Sequence, residues 1–86
     1  MRTIWKYELS PDVYLTIPIN GEILTVQTQN KKVVMWVVVN PEHDTERRHF
    51  KVFGTGHMIT DEMIEYINTF QFNNGAFIFH VFEIYE

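Results

Sequence analysis

Four histidines, His43, His49, His57 and His80, have the widest chemical reach in this 86-residue chain, because imidazole can ligate a metal, carry a proton or bind an anion. Metal sites usually gather ligands at short local spacing. Here five, seven and twenty-two residues separate successive histidines and no cysteine is present, so the spacing gives no metal centre. Thiolate chemistry and disulfides are excluded outright. The single serine, Ser10, stands beside Pro11 without a glycine-flanked nucleophile elbow. Thr55, two residues before His57, is the one local hydroxyl and imidazole pair, and a turn residue in a Gly-X-Gly bend is the simpler reading. Glu42 and Asp44 sit in a polar stretch with nothing to desolvate them for acid–base work. No enzyme signature is present, and the expectation is a protein that does not catalyse.

Gly54-Thr55-Gly56-His57 could cradle an anion, since successive N–H groups of a glycine-rich bend form a nest. The segment is neither a phosphate-binding loop with a Gly-Lys-Ser/Thr ending nor a dinucleotide fingerprint, so no cofactor is implied. Arg47, Arg48 and His49 lead into this bend on the same strand. Side chains alternate along a strand, so Arg47 and Arg48 face opposite ways, and at most one could join His49 or His57 in a pocket. An anionic small molecule such as a nucleotide is thus one candidate ligand. Solvated charges that protect a strand edge are the other reading of the same residues.

With 7 basic against 11 acidic residues the net charge is −4, which disfavours a non-specific grip on nucleic acid. The opening Met1-Arg-Thr-Ile-Trp-Lys-Tyr-Glu-Leu9 is charged and alternating, unlike a signal peptide. No stretch reaches the ~18 apolar residues of a membrane span. A soluble, intracellular protein without a membrane partner is the expectation.

The elements that would position these residues are strands. Thr3, Trp5, Tyr7 and Leu9 alternate with Arg2, Lys6 and Glu8, and a second alternation puts Val13, Leu15, Ile17 and Ile19 on one face, where Pro18 points to an edge strand or an irregular one. After Asn20-Gly21 the run Glu22–Gln29 places Leu24 and Val26 on one face. Val33–Val39 is unbroken apolar sequence, which predicts a central strand covered on both faces. Arg47–Phe53 alternates with Phe50 and Val52 inward. Thr60-Asp-Glu predicts one short helical turn near 61–65. Two aromatic runs joined by Asn74-Gly75 then predict a hairpin with a type I′ turn, Phe72 opposite Phe77 and Phe70 opposite Phe79. The sum is one domain over residues 1–86, an all-β antiparallel barrel-like or sandwich fold of six or seven short strands.

Phe70, Phe72, Phe77 and Phe79 share one face of that hairpin, with Ile67, Ile78, Phe82 and Ile84 on the other. One face would pack on the core and the other meet either a second sheet within the domain or another copy of the chain, the latter pointing to self-association through these phenylalanines and Trp5. Trp36, inside the apolar run, is expected in the core.

The opening segment, Glu22-Ile-Leu-Thr-Val-Gln27, Phe53-Gly-Thr-Gly-His57 and Phe79-His-Val-Phe-Glu83 together resemble a family of short proteins encoded in tailed-bacteriophage genomes. The likeness runs along nearly the whole chain and departs from the pattern around Asn40–Glu46 and at Ile84-Tyr85-Glu86. It carries no catalytic or binding residue across. It implies a phage accessory protein in the host bacterial cytoplasm. The functional expectation is a non-enzymatic binding protein that inhibits or sequesters a host defence or metabolic factor; an anionic small molecule held at Gly54–His57 is the alternative.

Overall fold

The apolar run Val33–Val39 does become the middle of a sheet. In the computed structural model, which describes residues 1–86, it belongs to the strand Lys32–Val39, fourth of seven. The others are β1 (Thr3–Glu8), β2 (Asp12–Pro18), β3 (Glu22–Gln29), β5 (Thr45–Gly54), β6 (Ile64–Phe72) and β7 (Phe77–Ile84), with Lys32–Val39 as β4. They form two antiparallel sheets, β1-β4-β3 and β2-β5-β7-β6. The inner faces meet around Ile17, Val26, Met35, Val37, Phe50 and Val81, all buried.

One face of β4 packs on the opposite sheet; no second sheet lies on the other, where Val34 is buried by neighbouring side chains and Trp36 and Val38 are half-buried. The molecule is 15 Å across its thin axis, which two sheets about 10 Å apart already fill. Val34, Trp36 and Val38 lie on the outer face, flanked across the strands by Lys6, Glu8, Thr25 and Gln27. Trp36 is accordingly half-buried on the outside rather than in the core. Leu24 also departs from expectation: a register shift between Ile23 and Thr25 leaves it exposed, and Ile23 with Val26 takes the inward places.

No helical turn forms near 61–65. Ile64 already pairs with Ile84, and the Tyr85 N–H donates to the Met63 carbonyl at 2.8 Å. A single turn gains one bond for several fixed torsions, so extending a sheet wins. The Asp61 carboxylate, within the segment that predicts the turn, instead accepts two bonds from Lys51 Nζ at 3.0 and 3.1 Å.

The hairpin forms in the expected register, Phe70 with Phe79 and Phe72 with Phe77. Asn74 and Gly75 have φ of 55° and 85°, and the Ala76 N–H donates to Asn73 O at 3.1 Å, as a type I′ turn requires. Pro18 sits at the end of β2, an edge strand, where its missing N–H costs no ladder bond. At the next turn the positive φ falls on Asn20, while Gly21 serves close packing. A Cβ there would lie 2.8 Å from Ile17 Cγ2 and 3.1 Å from Val37 Cγ1.

One side of the sandwich is stapled by a side chain. Asn68, at a register shift in β6, accepts from the Val26 N–H at 2.8 Å and donates to the Val26 carbonyl at 3.0 Å. Its amide stands in for a strand partner and ties β3 to β6. The same shift turns Ile67 toward the core, although simple alternation puts it opposite Phe70. Across the molecule β1 pairs only with β4, so its other edge is open.

Candidate functional site

The inward face of the β6–β7 hairpin does not pack flat against the opposite sheet. Phe70, Phe72, Phe77 and Phe79 instead line a cavity of about 450 Å³ at one end of the sandwich. Phe79 is its centre, with ring centroids at 5.7 Å from Phe70, 6.5 Å from Phe72 and 6.3 Å from Phe77. Val52 of β5 extends this wall, and Leu9, Pro11 and Val33 supply the facing one. Phe77, 54% exposed, stands at the rim. Four aromatic side chains separated by the strand period and an Asn-Gly turn must share a face; the link Leu9–Pro11 lines the space too, tied to both sheets by the Leu9 N–H to Val33 O and the Val52 N–H to Pro11 O, each at 2.9 Å.

His57 enters this wall through the glycine bend. Inward positions on β5 run Phe50, Val52, Gly54, and Gly54 pairs with Phe79. Where a Gly54 side chain would project lies the His57 imidazole: a Cβ on Gly54 would come 2.9 Å from Cε1 and 3.1 Å from Nε2. The His57 N–H donates to Gly54 O at 3.0 Å, and the Gly54 N–H donates to His57 Nδ1 at 3.0 Å. Gly56, with φ of 91°, supplies the left-handed step that closes the bend. His57 and Ser10 are the polar side chains among the lining residues, and no Lys, Arg, Asp or Glu is among them.

Two groups proposed separately from sequence thus meet in one place: Gly54 and His57, and the four phenylalanines. Thr55 does not join them. Its hydroxyl contacts His80 Nε2 at 2.8 Å on the outer face, where His80 Nδ1 also meets its cross-strand neighbour Thr69 at Oγ1, 2.9 Å away. The Thr55 and His57 side chains are therefore not paired.

Arg47, Arg48 and His49 lie at the other end of β5, six residues from Gly54, or roughly 20 Å of extended strand. Arg48 makes a bidentate pair with Glu83, Nε to Oε2 and Nη2 to Oε1 both at 2.7 Å, and donates to Gly21 O at 2.7 Å. The Glu83 hydrogen bonds raise the Arg48 pKa further above its ordinary value. Arg47 stacks over Tyr14 at 4.6 Å. His49 also stacks on Tyr14, ring centroids 4.1 Å apart, with Nδ1 2.6 Å from Glu86 and Nε2 2.5 Å from Asp12. Tyr14 donates to Glu86, which raises the phenol and, together with His49, lowers the Glu86 carboxyl. Each of the three residues is thus engaged within the protein and absent from the cavity.

Trp5 is 41% exposed on β1 and does not line the cavity either. His43 Nδ1 contacts Ile19 O at 3.0 Å. No three His, Asp or Glu side chains gather in a way that could hold a metal ion. No helix is long and apolar enough to cross a membrane.

Sequence reasoning missed Leu9, Pro11, Val33 and Val52 as cavity walls, Asn68 as staple and Glu83 as partner of Arg48. Glu83 had a signal: it falls in phase with Phe79 and Val81, a charge on an inward face that demands a counter-charge. The other residues are ordinary apolar or turn residues whose role depends on how the sheets splay. No curated protein and no solved structure matches the chain. A family model, described as a domain of unknown function (DUF7352), matches residues 1–86, and the chain belongs to that family.

Proposed function

We propose that the protein works by binding rather than by catalysis, and that the aromatic cavity is where it binds. The observation that carries this reading is a space of about 450 Å³ walled by four phenylalanines and aliphatic side chains. Such a volume lies in the range of small-molecule sites, which are mostly apolar with few polar groups. Filling it with side chain would have stabilised so small a core. Together with the resemblance to short phage proteins, this favours an accessory protein in the bacterial host that sequesters a metabolic or defence factor through an apolar group. Binding of a nucleotide-like anion at Gly54–His57 has less support, because Arg47 and Arg48 are committed elsewhere. Self-association is a separate part of the proposal, with the open β1 edge and Trp5 as the surface that favours it.

The neutral fluorophore N-phenyl-1-naphthylamine tests the cavity. Its emission is expected to rise with the native protein and not with Val52→Phe, provided that variant melts cooperatively. No enhancement with the native protein would remove the proposal. Sedimentation of the native protein and of Trp5→Ala reports self-association; a monomer at all concentrations ends that part.

A further inference from the structure

We infer that the cavity selects a ligand whose apolar body ends in an uncharged hydrogen-bond acceptor, such as a ketone, ester or ether oxygen, received by His57 Nε2–H. The inference rests on the cavity being the binding site, as proposed above. Its own basis is the tautomer that the fold imposes. The Gly54 N–H donates to Nδ1 at 3.0 Å, so Nδ1 carries the lone pair. A neutral imidazole then bears its proton on Nε2 and has one donor left to offer. The ring occupies the inward side of β5, with Nε2 3.1 Å from where a Gly54 Cβ would be. His57 is itself exposed, so that donor stands at the mouth of the cavity, beside Val52 and Phe79.

The charge of the ligand follows from what else lines the space. No Lys or Arg side chain does. A carboxylate or phosphate placed there would give up its hydration for one neutral donor, which burial of a charge does not tolerate well. A neutral acceptor loses far less and pairs the N–H that the bound ligand covers. A pure hydrocarbon would fill the volume but cover the Nε2–H without replacing its water. The shape of the site therefore fits a ring or short chain with one acceptor at its end.

Three naphthalenes of nearly equal size separate these cases: 2-acetonaphthone, 2-ethylnaphthalene and 2-naphthoate. Dissociation constants would be measured by aromatic NMR titration at about pH 8, above the ordinary imidazole range. The ketone is expected to bind about tenfold more tightly than the hydrocarbon, the size of one net hydrogen bond, and more tightly than the carboxylate. In His57→Phe the ketone should lose that advantage, so that the ratio of ketone to hydrocarbon binding falls to about one. Equal binding of ketone and hydrocarbon to the native protein would overturn the inference and leave the cavity proposal standing. Preference for naphthoate would overturn it in favour of an anion site. Failure of all three to bind would take down the cavity proposal itself. Should His57→Phe not fold, the His57 ring nitrogens of the native protein give the same answer. The ketone must move the Nε2–H resonance and leave the Nδ1 acceptor state intact; an unmoved Nε2–H counts against the inference.

Discussion

The two ends of the β5–β7 pair follow the same alternation and finish in opposite chemistry. At one end inward Arg48 of β5 meets inward Glu83 of β7, and Glu83 also accepts from Tyr85 at 3.3 Å. At the other end Gly54 faces Phe79, and the space beyond them stays open. Arg48, His49, Glu83 and Glu86 at the first end are hydrogen-bonded within the chain; at the second the walls are apolar apart from Ser10 and His57. In a domain this small, a polar knot fixes which strands pair and in what register, whereas unfilled aromatic surface is a loss of stability that only binding recovers.

Breaking the knot should have the largest effect. Glu83→Ala strands a guanidinium that is 15% exposed, and a loss of about 3–5 kcal/mol is expected in urea unfolding. Replacing both partners, as in Arg48→Met with Glu83→Leu, should recover most of that loss, because the cost lies in the orphaned charge. A double variant as unstable as the single one would mean that the pair is needed in itself.

The cavity end should divide by depth. Phe70→Ala, at a buried ring, should cost about 3 kcal/mol. Phe77→Ala, at the rim, should change stability by less than about 1 kcal/mol yet weaken binding of N-phenyl-1-naphthylamine. Equal losses of stability would show that the hairpin face is core throughout. Between the two ends, Asn68→Ala should cost about 1–3 kcal/mol by leaving the Val26 N–H and carbonyl unpaired. Amide exchange at Val26 would report it, and an unchanged exchange rate would mean that the staple is dispensable.

The smallest effect is on pH dependence at the knot. Burial, with hydrogen bonding to Glu65, pushes the Tyr85 phenol up to about 12. A folded value above the unfolded one, near 10, favours the neutral phenol; its contribution is complete below pH 10 and is lost as pH rises toward 12. Tyr85→Phe should flatten the fall in urea midpoint over that interval, and an unaltered slope would assign the fall to other groups. Glu86, held low by Tyr14 and His49, acts in the opposite sense and loses its contribution as the pH falls through its lowered value.

Much of the frame was legible because it is set locally. The Asn74-Gly75 turn fixes the register of four phenylalanines, and alternation alone places Phe50 and Val52 inward. What failed was non-local. Val33–Val39 reads as covered on both faces, but whether a third layer exists depends on chain that this domain does not provide. Thr60-Asp-Glu reads as the start of a helical turn until Lys51 claims Asp61. The site was visible as two separate groups, the glycine bend and the aromatic face. Their union required knowing that β5 and β7 are neighbours, and Arg47–His49 were assigned to the bend only because they share its strand.

The most direct measurement is a set of nuclear Overhauser contacts between bound N-phenyl-1-naphthylamine and assigned side chains of the native protein. Contacts to the rings of Phe70 and Phe79 and the methyls of Val52 are expected. Contacts to Trp36, Val38 and Ile4 on the outer face of the other sheet, or no saturable contact at all, would contradict a binding site between the sheets.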